Sequence, residues 1–387
     1  MPEWWRAQIR RVRELLRGLR TPARSTEAVE SIALLLGAAA FAVGLPVSYL
    51  LFAGSTLAIT GAGSIGWYAA GGGAIVTAVA FVLGRVAVRP AAVSPDEPRD
   101  GFRVPGERLR WYDLVAIGAA YSTIALLGWL GVAELLALCF TDAPVFAFPG
   151  SILVGVAFAV TAYVAFLAAT ELRPMSLSLG LAVFLVVGAF ASMLTSSDAH
   201  WWQDNLSALG MTTNEASSVF NPMLVLSGII VATLARYATA GLPAHGRRQR
   251  RGRLVVRIGL ILIGLLLAAV GVFPVDVFFL LHNTVATGMA VCFAGVVCGL
   301  PWLLPSLPRV FLGLGYVYVA VIVLLAILFA VGYYNLTAVE LIAAVLIFSW
   351  IIVFLRTTAS VAAPARSPEP RGTGAVETVV PSRRAAD

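Results

Sequence analysis

The run from Arg247 to Pro274 reads RRQRRGRLVVRIGLILIGLLLAAVGVFP. Five arginines crowd residues 247–253. Residues 254–272 then carry a single charge, Arg257, among aliphatic side chains, glycine and alanine, before a Phe-Pro pair closes the run. About 20 apolar residues is the length at which a helix crosses the hydrocarbon of a bilayer. In that medium no water satisfies the backbone, so such a segment must bond internally as a helix. A helix on the surface of a soluble core would instead show a polar stripe every three to four residues.

The same pattern recurs along the chain. Counting this one, ten candidate spans appear, at 31–52, 66–88, 111–138, 149–169, 176–195, 218–237, 254–272, 277–300, 310–332 and 336–355. Over its 387 residues the chain is 59% hydrophobic and 12% charged, against about 45–50% and about 25% for soluble domains. A soluble enzyme and a disordered chain are both excluded. The blocks are continuous rather than alternating, which also excludes an outer-membrane barrel. The fold class expected is all-α, a polytopic membrane protein of ten helices.

All 27 basic residues are arginine, as in a protein from a high-GC bacterial genome. Their placement tests the span count. Seven lie between Arg6 and Arg24, six between Arg85 and Arg110, one at Arg173, seven between Arg236 and Arg257, one at Arg309 and five between Arg356 and Arg384. With ten spans all of these fall on one side. The positive-inside rule makes that side the cytoplasm, with both termini there. The net charge of +7 is therefore topogenic, and nucleic acid is not expected as a partner even at the basic run 245–251.

Four regions follow: a basic segment at 1–30, a four-helix bundle at 31–172, a six-helix unit at 173–356 and a tail at 357–387. In the first, Trp5, Ile9, Val12, Leu16 and Leu19 make one apolar helical face opposite arginines, as in a helix lying on anionic lipid. Its charge is too extended for a cleavable signal peptide. The linker 89–110, with Pro90, Pro95, Pro98 and Pro105, reads as solvated, and the tail, rich in Pro, Ala, Ser and Arg, as disordered. Cys139, Cys292 and Cys298 have neither disulfide nor metal spacing.

Ionisable residues within or beside spans are costly and mark candidate sites. Two of the three histidines and most membrane-proximal acids map to the outer side. The longest outer loop, 195–210, carries His200, Asp204, Asn205 and Ser207; the turn after the seventh span carries Asp276, and the eighth span opens with His282. Glu134 and Glu340 also lie near outer ends. If the helices pack compactly, His200, Asp204, Asn205, Ser207, Asp276 and His282 share one pocket. Three readings of that constellation stand open. Asp204 and Asn205 bond loop amides as a structural cap, with Trp201 and Trp202 at headgroup depth. Alternatively the pocket binds a lipid headgroup or small ligand. In the third, Ser207 is a nucleophile activated by His200 or His282, although no Gly-x-Ser-x-Gly elbow surrounds it.

Neither a metal nor a cofactor is expected. A metal on His200 and His282, completed by Asp204 or Asp276, is chemically reasonable, but the spacing is generic. The cytoplasmic halves of the spans hold little besides Asp113 and Glu171, so no proton relay is evident and a transporter ranks below binding; a structural membrane scaffold is a further alternative. Gly61-Ala62-Gly63-Ser64-Ile65-Gly66 has G-x-G-x-x-G spacing without a preceding strand, and reads as a turn between spans.

The order Asn205-Leu206-Ser207-Ala208-Leu209-Gly210 after His200, then Val219-Phe220-Asn221 entering a span, a basic loop, Gly271-Val272-Phe273-Pro274 and finally His282 resembles the prokaryotic membrane family termed domain of unknown function 998. The resemblance covers about residues 176–355, six of the ten spans. That family is distantly grouped with FGF-receptor-activating and DRAM-like membrane proteins, some associated with lipid remodelling. By resemblance, His200, Asn205, Ser207 and His282 form its polar signature. The expectation is an inner-membrane protein that binds or organises lipid headgroups, or a small ligand, at the outer leaflet, with anionic lipid at its arginine-rich segments; the alternative is a hydrolase using Ser207.

Overall fold

The structure, a computed structural model, describes residues 26–87, 110–141, 143–172, 174–240, 242 and 246–362. The amphipathic pattern expected in the first 25 residues, the linker at 88–109 and the tail beyond 362 lie outside the described residues. Among the described residues, ten helices are long and apolar enough to cross a bilayer. They are α1 (Thr26–Phe52), α2 (Ile65–Ala87), α3 (Trp111–Cys139), α4 (Ala147–Thr170), α5 (Pro174–Leu194), α6 (Ser217–Ala240), α7 (Arg247–Val272), α8 (Phe279–Leu303), α9 (Arg309–Ala330) and α10 (Leu336–Ala362). The protein is an all-α, multi-pass membrane protein.

Most helix ends fall close to the expected span ends, and the larger differences have one cause. Helix α7 begins at Arg247 rather than 254, and α10 runs on to Ala362, so the tail expected from 357 opens as helix. Hydropathy reads the part of a helix that lies in hydrocarbon, whereas backbone bonding continues wherever propensity allows, and arginine is a good helix former.

Successive connections alternate between the two ends of the bundle. At one end, here the loop face, β1 (Thr56–Leu57) pairs antiparallel with β2 (Val145–Phe146), joining the α1–α2 and α3–α4 connections. The expected turn at 61–66 belongs to this end: Gly61 and Gly63 adopt φ of +96° and +73°, and the Ser64 hydroxyl accepts the amide of Trp67 at 3.1 Å as a helix cap. At the opposite end, the arginine face, Arg85 donates to the Ala169 carbonyl at 3.1 Å, closing α2 onto the end of α4. There Arg236 of α6 pairs with Asp113 of α3.

Among helices in lipid there is little hydrophobic drive to associate, so close fit does that work. Helix α4 packs on α1 and α2, and the Phe158 ring lies over Gly44 and Gly72, where a Cβ would come within 2.6 and 2.1 Å of it. Helices α6 and α7 cross backbone to backbone: a Cβ at Gly228 would stand 2.3 Å from the Gly264 carbonyl oxygen, and one at Gly264 2.5 Å from that of Gly228. Helix α3 ties the first four helices to the rest. Its Ile117 and Ala120 belong to the same buried core as Leu181 and Phe184 of α5, Leu234 of α6, Leu260 of α7 and Phe293 of α8. Trp350 of α10 is fully buried, stacked on Phe354 at 5.3 Å and edge-on to Phe293 at 5.4 Å.

Candidate polar site at the loop face

Between α5 and α6 the chain crosses the loop face through two short 3-10 turns, Trp201–Gln203 and Leu206–Gly210. The second turn is buried from Ser207 to Gly210, and two close approaches fix it. The Asn221 side-chain amide donates to the Gly210 carbonyl at 2.9 Å. A Cβ on Gly210 would lie 2.5 Å from Oδ1 of Asn221, so a larger residue would displace that side chain. Asn221 is itself held by α7, since a Cβ on Gly271 would lie 2.6 Å from its carbonyl oxygen.

Ser207, thus placed, meets two other elements. Its Oγ lies 3.0 Å from Nε2 of His282, in the first turn of α8, and the His282 side chain is buried with Ser207. The other ring nitrogen, Nδ1, lies 2.7 Å from the Phe273 carbonyl oxygen. A carbonyl only accepts, so Nδ1 carries the hydrogen, and in the neutral imidazole Nε2 is left as an acceptor for the Ser207 hydroxyl. The tautomer follows from this network. Glu340 comes from the start of α10. Its Oε2 accepts the Leu206 amide at 2.7 Å and the Ser207 amide at 3.4 Å, and its Oε1 stands 3.4 Å from Ser207 Oγ. The serine has one proton to give; the 3.0 Å geometry directs it to His282 rather than to the carboxylate.

The structure therefore brings Ser207 and His282 together and adds Glu340, an acid near an outer span end that lies outside the pocket expected from sequence. The partners Ser207 and Glu340 stand 133 positions apart, so nothing local could signal the contact; a lone acid one turn into an apolar span was the available hint. Asn205 adjoins the cluster at the entry of the second 3-10 turn, yet its side chain caps nothing. Its Oδ1 is buried without a hydrogen-bond partner among the described residues.

The other expected members lie apart. His200 and Asp204 are exposed. The His200 amide donates to Asp198 at 2.8 Å, but no hydrogen bond joins its ring, or the Asp204 side chain, to Ser207 or His282 among the described residues. The capping expected of Asp204 and Asn205 falls to Asn214 instead. Its Oδ1 accepts the amides of Ala216 and Ser197 at 3.0 and 3.3 Å, and its Nδ2 donates to the Ala208 carbonyl at 3.3 Å. Among the described residues no group of three or more His, Cys, Asp or Glu is placed to hold a metal ion.

Asp276 holds the loop from the α7–α8 turn, accepting the Thr212 amide at 2.9 Å and its hydroxyl. Partial burial alone would raise its pKa. The bonds from Thr212, with the Asp276 and Val277 amides, favour the ionised form more strongly and hold it below the usual carboxylate value. A depressed folded-state pKa stabilises the protein above the unfolded value and is lost as pH falls through the folded one. Wild type and Asp276→Asn are thus expected to differ in thermal unfolding at neutral pH and to converge below about pH 4. A constant gap across that range would remove the assignment.

No family model, no curated protein and no solved structure matches the chain.

Proposed function

We propose that the Ser207–His282–Glu340 cluster binds or organises a lipid headgroup, or a small polar ligand, at the outer leaflet of a bacterial inner membrane. One observation carries this: polar side chains from the 195–216 loop, α8 and α10 converge at one spot on the loop face. The unpartnered Asn205 oxygen lies beside them. Polar groups at membrane depth are costly, and their concentration in one place suits contact with a ligand. The outward orientation is supported by the arginines of the described residues, which lie at the opposite face, the side that the positive-inside rule assigns to the cytoplasm. The residues that carry the proposed resemblance to domain of unknown function 998 lie together: Gly210 and Gly271 close on Asn221, and His282 bonds the Phe273 carbonyl and Ser207.

The test is native mass spectrometry of lipids retained by the purified protein. Ser207→Ala, His282→Ala and Glu340→Gln are each expected to deplete the same headgroup class or small molecule; Ser207→Ala and Glu340→Gln, which leave a buried partner unsatisfied at a cost of about 1–3 kcal/mol, are expected to keep the fold. An unchanged retained-ligand profile in all three variants would leave the cluster a structural clamp.

A second reading is favoured by a separate observation. A serine hydroxyl aimed at a histidine of fixed tautomer is the core of an activated nucleophile; here the Phe273 carbonyl orients the ring where hydrolases commonly use an acid. If the site performs acyl transfer, a fluorophosphonate probe labels the wild type, Ser207→Ala abolishes labelling and His282→Ala slows it by about 100-fold or more. No labelling of the wild type would eliminate this reading and leave the binding proposal standing.

A further inference from the structure

We propose that the start of α3 and the end of α6 form a discrete binding site for the phosphate of an anionic phospholipid at the arginine face. Two guanidinium groups gather on one phenol there. Arg110 and Arg236 both donate to the Tyr112 hydroxyl, at 2.7 and 2.8 Å. Their central carbons stand 5.8 and 5.3 Å from its ring centroid.

Like charges converge only if something compensates them, and the compensation here is incomplete. Asp113 is fully buried and already saturated: it pairs with Arg236, accepts the Tyr237 hydroxyl at 2.7 Å and accepts the Arg110 amide at 2.9 Å. It neutralises Arg236, and the Arg110 guanidinium has no carboxylate among the described residues. A guanidinium carries five N–H donors; Arg110 directs one to Tyr112, and the rest have no partner among the described residues.

The surroundings fit a lipid. Trp111, 76% exposed, is next in sequence, and tryptophan concentrates at headgroup depth. Arg253 donates to the Ala240 carbonyl at 3.4 Å and Arg257 to the Thr239 hydroxyl at 2.8 Å, adding positive charge around the end of α6. A phosphodiester offers oxygens spaced for a guanidinium fork, and an anionic headgroup supplies the missing negative charge where a zwitterionic one does not.

The experiment compares the full-length protein in detergent, titrated with phosphatidylglycerol or phosphatidylcholine and read by native mass spectrometry. Wild type is expected to retain phosphatidylglycerol preferentially. Arg110→Gln, whose side chain is exposed, is expected to weaken that retention about fivefold without lowering thermal stability in detergent alone. Arg309→Gln removes an arginine from the same face at the start of α9 and is expected to leave retention unchanged. Equal losses in both variants would mean diffuse surface charge, and no loss in Arg110→Gln would mean no site; either overturns the proposal.

Discussion

Arg236→Ala is expected to destabilise the protein by about 3–5 kcal/mol, the cost of stranding a buried charge by deleting its partner. The Asp113 side chain is 1% exposed and Arg236 21%. The carboxylate would keep only the Tyr237 hydroxyl and the Arg110 amide, neither of which carries charge. The pair also joins α3 to α6, so its loss loosens the seam between the first four helices and the rest. Asp113→Asn with Arg236→Gln removes both charges while retaining hydrogen-bonding groups, and is expected to cost less than Arg236→Ala alone, a coupling that a double-mutant cycle measures. Denaturation of the purified protein in detergent reads both. An unaltered midpoint in Arg236→Ala would mean that the seam does not depend on this pair.

Gly228→Leu is expected to have an effect at least as large, about 3 kcal/mol or more, with loss of folded protein in the membrane. Overpacking a core typically costs about 1–3 kcal/mol because side chains shift to make room. At Gly228 the obstacle is the Gly264 carbonyl and the Ala268 amide nitrogen, at 2.3 and 2.7 Å from a Cβ, and backbone cannot change rotamer. Even Gly228→Ala must push α6 away from α7, and with it the Asn221–Gly210 contact that holds Ser207. Gly131, with nothing within 4 Å of a Cβ, supplies the contrast. Gly131→Ala is expected to be neutral or to stabilise slightly, by up to about 1 kcal/mol, through helix propensity. Similar midpoints for Gly228→Ala and Gly131→Ala would contradict the close crossing.

The candidate site was partly legible in sequence. Ser207, His282 and Asn205 stood out because polar residues near apolar spans are few. The geometry then sorted them in ways spacing does not encode. Residues 200 and 204 lie only a few positions from Ser207 but on an exposed turn, whereas Glu340 reaches Ser207 across 133 positions. Asn214 carries the loop's capping although nothing in its neighbourhood marks it above Asp204 or Asn205. Local chemistry identifies which residues are costly to bury; it does not say which loop folds inward over them.

For this chain the sequence alone determined the number of spans, their alternation and the gathering of arginine at one face. Those properties depend on the transfer of each segment into hydrocarbon and on charge beside it, both nearly local. Only the tertiary structure decided that α6 and α7 touch at Gly228 and Gly264, that Asp113 answers Arg236, and that Ser207 faces His282 with Glu340 behind it. In lipid every helix is apolar all round, so hydropathy cannot distinguish the face that meets another helix from the face that meets a lipid tail. Fit between surfaces chooses, and fit belongs to pairs of helices rather than to either one.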